Sequence, residues 1–299
     1  MRLLRELNER GTIAAVAEAL QFTPSAVSQQ LAMLEREAGL PLLERAGRGV
    51  RLTDAALVLV DHAKALLDRA ALAEADLAAA AGTVAGRARI AGFESVLLRL
   101  ALPAVESLTR MAPGLRLELI EIEPEEALPD LALGDLDLVL GDEWQHQPRR
   151  MPAGVERHEL MSDRVRILLP TRHPAARAHP EAVPLAELAS EAWTTGHADL
   201  GWDEMTRRTC LALGGFEPDV RHRTNDPTVC VAVAARGLGV AMLPDLALRE
   251  HRAGVALRTI AEGPVSRSIF AATRAADDAR PSTQALLAAV RDAADAVSG

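Results

Sequence analysis

The first eighty residues carry apolar positions at helical spacing, interrupted by short turns. The spacing predicts a helix over residues 2–10, a second after Thr12, and a third that Thr23 caps and Gly39 ends. Pro24 suits the first turn of the third helix, where a missing N–H costs no hydrogen bond. The apolar positions of this helix should face the core, and they are Val27, Leu31, Leu34 and Ala38.

The opposite face of the third helix is mostly polar and should face solvent. By helical geometry it carries Ser25, Ser28, Gln29, Ala32 and Arg36. Residues 42–43 and 50–52 then form the two sides of a hairpin around Gly47 and Gly49. Helix, turn, helix and hairpin in this order are typical of a winged helix-turn-helix, which places one helix in the DNA major groove.

The longest predicted helix follows the hairpin. Thr53 can cap it, and the residues from Asp54 to about Ala81 include neither Gly nor Pro. At about 1.5 Å per residue, a helix of about 28 residues is roughly 40 Å long. A helix this long outside a core usually pairs with a copy of itself, so we expect a dimer. Residues 82–86 form the expected hinge.

From Arg87 onward, predicted strands and helices alternate. Strands are predicted at residues 88–92, 115–122, 136–141, 164–169, 192–194, 220–224, 239–243 and 266–273. Helices are predicted at residues 96–110, 125–133, 185–189, 202–213, 227–236 and 281–297. Such alternation is typical of an α/β fold with parallel sheets covered by helices, and its two rounds indicate two similar lobes.

The distribution of charge confines DNA contact to the N-terminal part of the chain. The net charge is −9, of which residues 1–53 carry +1, residues 54–86 carry −3 and residues 87–299 carry −7. An acidic body disfavours contact with phosphates over most of its surface. Aromatic residues make up 2%, without Tyr, so base-stacking platforms for single-stranded nucleic acid are not expected.

Membrane and secretion signals are not found in the sequence. No apolar run approaches the roughly 18 residues that a membrane span needs. The N-terminus does not show the apolar segment of a signal peptide. Two cysteines do not make a disulfide scaffold. We therefore expect a soluble, cytoplasmic protein that has no membrane partner.

Several sequence runs strongly resemble the LysR-type transcriptional regulators. In the helix-turn-helix they are AAVAEAL at residues 14–20, TPSAVSQQL at residues 23–31 and the Leu34-Glu35 pair. In the wing they are GLPLLER at residues 39–45 and VRLT at residues 50–53. Further on, ARGLGVAMLP at residues 235–244 looks like a helix-turn-strand of the family. The resemblance covers essentially the whole chain.

The resemblance implies a fold and a domain organisation. The fold would be α/β with an N-terminal all-α winged helix-turn-helix, a long linker helix and a two-lobed effector domain similar to periplasmic binding proteins. The domains would span residues 1–53, 54–86 and 87–299. Lobe I would comprise about residues 87–161 and 267–299, and lobe II about residues 162–266. The chain would cross between lobes near residues 161–166 and 262–267.

The resemblance also implies partners and a mode of action. A dimer or tetramer would bind double-stranded DNA at an interrupted palindrome, and a small-molecule inducer would bind between the lobes. RNA polymerase is a further expected partner. Two alternatives remain: a redox-sensing regulator of the same family, and an α/β small-molecule binding protein whose N-terminal helices only dimerise. Salt-sensitive DNA binding distinguishes the latter from a DNA reader.

Candidate DNA-binding residues lie on the third helix and the wing. Short hydroxyls near a helix N-terminus can contact phosphates, and Gln can pair with the N6 and N7 atoms of adenine. Arginines in the wing suit phosphates or the minor groove. An ordinary solvated surface is the alternative interpretation. The candidates are Pro24, Ser25, Ser28, Gln29, Arg36, Arg48 and Arg51.

Candidate effector-binding residues follow predicted strands, where α/β proteins bind ligands. They are Ser95, Thr194, Thr195, Asn225 and Asp226. The resemblance implies that the Ser95 hydroxyl holds a carboxylate, whereas ordinary helix capping is the alternative for Ser95 and Asn225. No dense basic cluster lines these loops, so a strongly anionic inducer is not indicated.

Cysteines and histidines point to no further chemistry. Cys210 and Cys230 lie in apolar helical surroundings, so we expect buried small side chains rather than a peroxide sensor. The eight histidines show no metal-ligand spacing. No nucleophile, base or cofactor loop is assembled along the sequence, so we expect neither a cofactor, nor a metal, nor an enzyme.

Overall fold

The computed structural model describes residues 2–20, 22–46, 49–80, 84–145, 147–198, 201–248, 254–278 and 280–298. The chain divides into two compact units, Met1–Thr83 and Val84–Gly299. Within the described ranges, no helix is long and apolar enough to cross a membrane. The predicted hinge residues 82 and 83 and the last predicted residue of the long helix, Ala81, lie outside the described residues.

The first unit contains the predicted helices and hairpin. Its elements are α1 (Arg2–Arg10), α2 (Ile13–Leu20), α3 (Pro24–Ala38), the wing strands β1 (Leu43–Ala46) and β2 (Gly49–Leu52), and α4 (Asp54–Ala80). Thr23 Oγ1 accepts a hydrogen bond from Ala26 N at 3.2 Å, and Gly39 ends α3 with a φ of 67°. Such a positive φ strains any residue with a Cβ, which explains the choice of Gly at this C-cap.

The core of the first unit is aliphatic and matches the predicted inward positions except at one residue. Val27 and Leu31 of α3 are buried, and Leu34 packs against the same cluster. Ala38 was expected in the core but is exposed. The prediction was wrong because the apolar core ends at Leu34, one turn before the helix does.

A carboxylate fixes the wing against α3. Glu35 Oε1 accepts hydrogen bonds from the backbone amides of Leu42 at 2.8 Å and Leu43 at 2.9 Å. Thr53 Oγ1 also donates to the carbonyl of Pro41 at 2.9 Å. The two Glu35 bonds satisfy backbone donors that have no ladder partner, so they set the position of the wing relative to the helix, and the Thr53 bond satisfies a backbone acceptor.

The second unit is built around a continuous mixed sheet with helices on both faces. Its strands are β3 (Gly86–Gly92), β4 (Leu115–Glu121), β5 (Leu138–Trp144), β6 (Val155–Pro170), β7 (Ala182–Val183), β8 (Ala192–Thr195), β9 (Asp219–Arg223), β10 (Val240–Pro244), β11 (Val255–Ile260) and β12 (Ser266–Arg274). The order is β4-β3-β5-β12-β6-β10-β8-β9, and β11 pairs with β6 and β7.

Strand β6 joins two lobes. It pairs with β12 from Val155 to Arg164, and with β10 from Val165 onward. The first lobe therefore comprises β3, β4, β5, β12 and the first part of β6. The second lobe comprises the rest of β6 with β7 to β11. Because β6 runs through both lobes, its middle is a natural pivot between them.

Helices cover each lobe. The first lobe has α5 (Glu94–Val96), a π-helical segment (Leu97–Ala101), α6 (Leu102–Met111), α7 (Pro124–Leu133) and α12 (Pro281–Ser298). The second lobe has α8 (Pro174–Ala178), a 3-10 turn (Leu185–Leu188), α9 (Gly201–Thr209), a π-helical segment (Cys210–Gly214), α10 (Pro227–Ala235) and α11 (Asp245–Leu248). A short 3-10 turn, Ala275–Asp277, precedes α12.

The strands near the pivot differ most from the prediction. The expected strand at residues 164–169 is only the last part of β6, and β7 and β11 were not predicted. The expectation of parallel sheets holds among β3, β4 and β5 and among β8, β9 and β10, but it is wrong for β6 and β12, which are antiparallel to their neighbours. The first half of β6 forms an edge rich in charged residues, so it lacks the apolar run of a buried strand.

The position of the wing can be tested at Glu35. In Glu35→Ala, two backbone amides lose their acceptor, which should lower the stability of the first unit by about 1–3 kcal/mol. Hydrogen exchange of the full chain should show faster exchange at Leu42 and Leu43. Glu37→Ala, an exposed acid on the same helix, is the matched control. Unchanged exchange at both amides would show that the carboxylate does not hold the wing.

Candidate functional site

The outer face of α3 presents the predicted polar residues. Pro24, Ser25, Ser28, Gln29 and Arg36 are all exposed. The two hydroxyls have local partners, because Ser25 Oγ lies 3.0 Å from Thr23 Oγ1 and Ser28 Oγ donates to the Pro24 carbonyl at 2.9 Å. Among the residues that the structure describes, the Gln29 side chain has no hydrogen-bond partner, so its amide is available to a base edge.

The wing carries an ion pair that the sequence did not indicate. Arg51 lies opposite Glu44 in the hairpin, and its Nε donates to Glu44 Oε1 at 2.8 Å. Both side chains are well exposed, so the pair is weak in water and a phosphate can compete for the guanidinium. Arg48, the other predicted wing residue, lies outside the described residues.

A cavity of about 600 Å³ lies between the two lobes of the second unit. We call it the interlobe cavity. Residues after β3, β4 and β5 line it from the first lobe, and residues around β9, β10 and the start of α9 line it from the second. The predicted residues that line it are Ser95, Asn225 and Asp226. This volume suits a small organic molecule.

Thr194 and Thr195 do not reach the cavity wall. They lie in β8 with 1% and 0% of their surface exposed. Thr195 Oγ1 donates to Thr206 Oγ1 at 3.2 Å, which joins β8 to α9. Their place in the sequence, at the end of a strand, suggested a binding loop, but the strand continues through both residues and keeps their side chains inside the lobe.

The Ser95 hydroxyl is bound to the protein itself. Arg267 Nη2 donates to Ser95 Oγ at 3.1 Å. The Nε and Nη1 atoms of Arg267 donate to Asp163 Oδ2 and Asp142 Oδ2, both at 3.0 Å. All four side chains are buried. Burial raises the pKa of the Asp163 carboxyl, and the guanidinium of Arg267 opposes that shift. Two carboxyl groups thus bind one buried arginine, and one of them, Asp142, also pairs with Arg149.

Sequence reasoning missed Arg267, Asp142 and Asp163 as lining or supporting residues. The guanidinium carbon of Arg267 lies 4.9 Å from the Phe93 ring centroid and 5.2 Å from that of Trp144. An arginine next to the apolar middle of strand β12 was the available signal, since such a charge is almost never fully buried without partners.

The two neighbouring polar residues before α10 have different roles. Asp226 Oδ1 accepts from the amides of Thr228 at 2.7 Å and Val229 at 3.3 Å, so it caps the helix. Asn225 Oδ1 accepts from His197 N at 3.0 Å, and its Nδ2 donates to Glu123 Oε1 at 3.4 Å. Capping was the alternative for Asn225 and Ser95. Asp226, not Asn225, caps α10, and Ser95 lies inside α5, whose N-cap residue is Phe93.

Glu123 therefore forms a hydrogen bond between the lobes. It precedes α7 in the first lobe, whereas Asn225 belongs to the second. Burial, together with the carboxylates of Asp142 and Glu125, raises the pKa of Glu123 to about 7. At neutral pH this carboxyl is consequently divided between its protonated and ionised forms, which is unusual for a glutamate.

The cysteines, and the group of possible metal ligands found among the described residues, give no comparable site. Cys210 and Cys230 are free and buried, and burial raises the pKa of each thiol to about 12. Such thiols react poorly at neutral pH, which gives no support to the redox-sensing alternative. Glu156, His158 and Asp278 place ligand atoms within 4.8 Å of one another, but Glu156 is exposed and His158 Nε2 is bonded to Thr273.

Two family matches cover nearly the whole chain. Residues 1–57 match the bacterial regulatory helix-turn-helix protein, lysR family, and residues 81–295 match the LysR substrate binding domain. The chain belongs to the LysR family of transcriptional regulators. It is a ligand-responsive DNA-binding regulator, and its second unit is consistent with a periplasmic-binding-protein-like fold.

Individual relatives agree with this membership. The regulator ShiR of Corynebacterium glutamicum is 31% identical over 241 residues, covering 76% of this chain and 79% of ShiR. MetR of Escherichia coli is 28% identical over 297 residues, covering 98% and 89%. A full-length OxyR variant from Pseudomonas aeruginosa has the same fold, with a TM-score of 0.69, 20% identity and coverage of 98% and 92%.

A further solved structure of the same fold is bound to DNA. It is full-length CbnR complexed with its target DNA, with a TM-score of 0.66 and 20% identity. The match covers 98% of this LysR-family chain and 99% of CbnR. The matches to known regulators include MetR and ShiR as well as OxyR. They therefore do not support the redox-sensing alternative over a ligand-responsive regulator.

The titration of Glu123 predicts a pH-dependent effect of Glu123→Gln. Because the folded protein raises this pKa from 4.5 to about 7, it binds more protons than the unfolded chain in that range. Stability from this group is therefore lost as the pH rises through about 7. The variant avoids this loss and should be more stable than the parent by about 1–3 kcal/mol at pH 8, but not at pH 4.

Denaturant unfolding at the two pH values measures this difference. Glu106→Gln, which alters an exposed acid of α6 paired with Arg110, is the control. If the Glu123→Gln protein were less stable than its parent at pH 8, the raised pKa of Glu123 would be wrong.

Proposed function

We propose that this LysR-family regulator binds an interrupted palindromic operator as a dimer or tetramer and that a small molecule in the interlobe cavity switches it. The observation that carries the proposal is that one chain has both an exposed polar face on α3 and a cavity between two lobes that β6 joins. The family consists of regulators that bind DNA, bind effectors and form oligomers.

The proposed DNA contacts are those of α3 and the wing. Gln29 is exposed and would read a base edge, while Ser25, Ser28 and Arg36 would contact phosphates. Pro24 sets the start of the helix. Arg51 would release Glu44 and bind a phosphate instead. Arg48, three residues earlier in the sequence, is the second proposed DNA contact of the wing. The structure of CbnR with its target DNA supports this use of the fold.

The proposed dimer contact is α4. This helix exposes large apolar side chains along its length, namely Leu57, Val58, Leu66 and Leu77. Large apolar side chains that are exposed at intervals along one helix indicate a surface that another chain covers, and a second copy of the same helix fits it.

We assign residues 1–53 to DNA binding, 54–86 to the linker and 87–299 to effector binding, with lobe I as about 87–161 and 267–299 and lobe II as about 162–266.

The proposed switch is a change in the angle between the lobes. An effector that contacts Ser95, Asn225 or Asp226 would touch both lobes at once and favour one arrangement over another. Thr195 would act from behind the wall, through its hydrogen bond to Thr206 on α9, with Thr194 buried beside it in β8. We further propose RNA polymerase as a partner, a location in the cytoplasm, and action without catalysis.

The alternative from a different class is a small-molecule binding protein whose N-terminal helices only dimerise. It leaves the polar face of α3 without a purpose, whereas the match of residues 1–57 to a regulatory helix-turn-helix supports the DNA-binding reading.

Gln29→Ala tests the DNA-binding proposal. It should weaken operator binding by about 1–3 kcal/mol, because a base edge loses its hydrogen bonds, while non-specific binding stays nearly the same. A mobility-shift competition on operator fragments selected from genomic DNA measures both. Gln30→Ala, about a quarter turn away on α3, is the control. Equal operator preference in Gln29→Ala and its parent would contradict the assignment, and salt-insensitive binding of the parent would contradict DNA binding altogether.

Leu66→Glu tests the dimer contact. The new charge would be buried between two helices, so the dimer should dissociate at concentrations where the parent stays associated. Analytical ultracentrifugation over a dilution series measures the change. Asp61→Asn, at an exposed position about 140° around the same helix from Leu66, should leave association within a factor of about three, as expected for a surface substitution worth no more than about 0.5 kcal/mol. Dissociation of both variants alike would place the contact elsewhere.

A further inference from the structure

The interlobe cavity has an unusual charge balance for a ligand site. Among the residues that the structure describes, its wall contains two arginines, Arg149 and Arg267, and one histidine, His197. The carboxylates of the wall outnumber these cations, and they are Glu94, Glu121, Glu123, Glu125, Asp142 and Asp226. A ligand entering the cavity therefore meets a surplus of negative charge.

Both arginines are already occupied by the protein. Arg267 donates to Asp142, Asp163 and Ser95, and its side chain is 5% exposed. Arg149 donates to the Asp142 carbonyl at 2.9 Å, and its Nη1 lies 3.0 Å from Glu125 Oε1. A ligand carboxylate at Arg267 would have to displace Asp142 or Asp163 and leave that anion buried without its partner, whereas at Arg149 it would have to displace the exposed Glu125.

Three wall carboxylates are not neutralised in this way. Among the described residues, Glu121, Glu123 and Asp226 form no ion pair within 4 Å, and Asp226 is bound only to backbone amides at the start of α10. Glu123 is the most central of them, since its side chain contacts the opposite lobe at Asn225. A cation at Glu123 would lie between the lobes.

The aromatic residues of the wall suit an organic cation. Trp144, Phe93 and Trp202 line the cavity together with the carboxylates. The Trp202 indole is held in place, because its Nε1 donates to the Met242 carbonyl at 2.9 Å. Aromatic faces attract cations and cover the carbon skeleton that bears them. Phe93 and Trp144 already face the Arg267 guanidinium, so the Trp202 indole, together with the carboxylates, is the part of the wall that is complementary to an alkyl or aryl ammonium group.

We propose that the effector of this regulator carries a protonated amine or a related cationic group, which binds at Glu123 between the two lobes. The inference rests on the proposed function, in which the interlobe cavity holds the effector. The cation would stabilise the ionised form of Glu123, which burial and the neighbouring Asp142 and Glu125 disfavour in the empty cavity. Binding would then strengthen the contact between the lobes and couple occupancy to their arrangement.

The affinity should depend on pH through Glu123. The charged groups that face it are Asp142 on β5, Glu125 on α7, Arg149 after β5 and Arg267 on β12, with His197 and Asp226 across the cavity. Its pKa of about 7 means that the carboxylate form is scarce at pH 6 and dominant at pH 8. Amines stay protonated across this range, so their affinity should rise about tenfold from pH 6 to pH 8.

Matched pairs of probes test the charge of the ligand. Isothermal titration calorimetry of the full chain at pH 8 would compare 2-phenylethylamine with 3-phenylpropanoate, and 1,4-diaminobutane with succinate. We expect at least one amine to bind at least tenfold more tightly than its acid, and to lose at least tenfold in affinity in Glu123→Gln. Glu204→Gln, an exposed acid of α9 paired with Arg208, should bind like the parent.

Other outcomes overturn the inference. Tighter binding of the acids, binding by neither amine, or an amine affinity that Glu123→Gln leaves unchanged would each contradict it. Thermal unfolding at pH 6 checks that the variant is folded, because the parent carboxyl is mostly protonated there. Operator binding measured on the same preparation separates the two proposals. If the parent protein binds operator DNA but shows no preference for amines, only the cationic effector is refuted. If the parent protein does not bind operator DNA, the proposed function is refuted.

Discussion

The second unit depends on one buried guanidinium. Arg267 lies at the start of β12, and it joins Ser95 after β3, Asp142 on β5 and Asp163 on β6. Asp163 also accepts a hydrogen bond from the amide of Leu246, at the start of the second lobe's α11. Each of these charges would be costly to bury alone, so the cluster is stable only when all its members are in place. It fixes the pivot where the two sheets meet.

This cluster also determines the chemistry of the neighbouring cavity. The positive charge that could have received an anionic ligand is used to hold the fold together. The remaining wall is left rich in carboxylates, and Glu123 lies among them with a pKa of about 7. Near the same place, each lobe contributes a side chain to the core of the other: Trp144 packs into the second lobe and Leu246 into the first. A ligand at this point therefore acts on the joint between the lobes.

The DNA-binding unit was largely predictable because its determinants are local. Caps, a Pro at a helix start, a Gly at its end and apolar spacing of three or four residues are all set by neighbours in the sequence. Its missed features, Glu35 and Glu44, are carboxylates whose partners lie seven or more residues away in sequence. In the effector unit the buried strands were found from their apolar runs, whereas the charged first half of β6 carried no such signal.

The sequence by itself determined the family, the two kinds of unit, the face of α3 and three of the five effector candidates that line the cavity. Periodicity and motifs act over a few residues, so these features are readable in one dimension. Only the tertiary structure decided which carboxylates neutralise Arg149 and Arg267, that Thr194 and Thr195 lie inside β8, and that Glu123 contacts Asn225. The physical reason is that the charge state and exposure of a side chain depend on groups brought together by folding from distant parts of the chain.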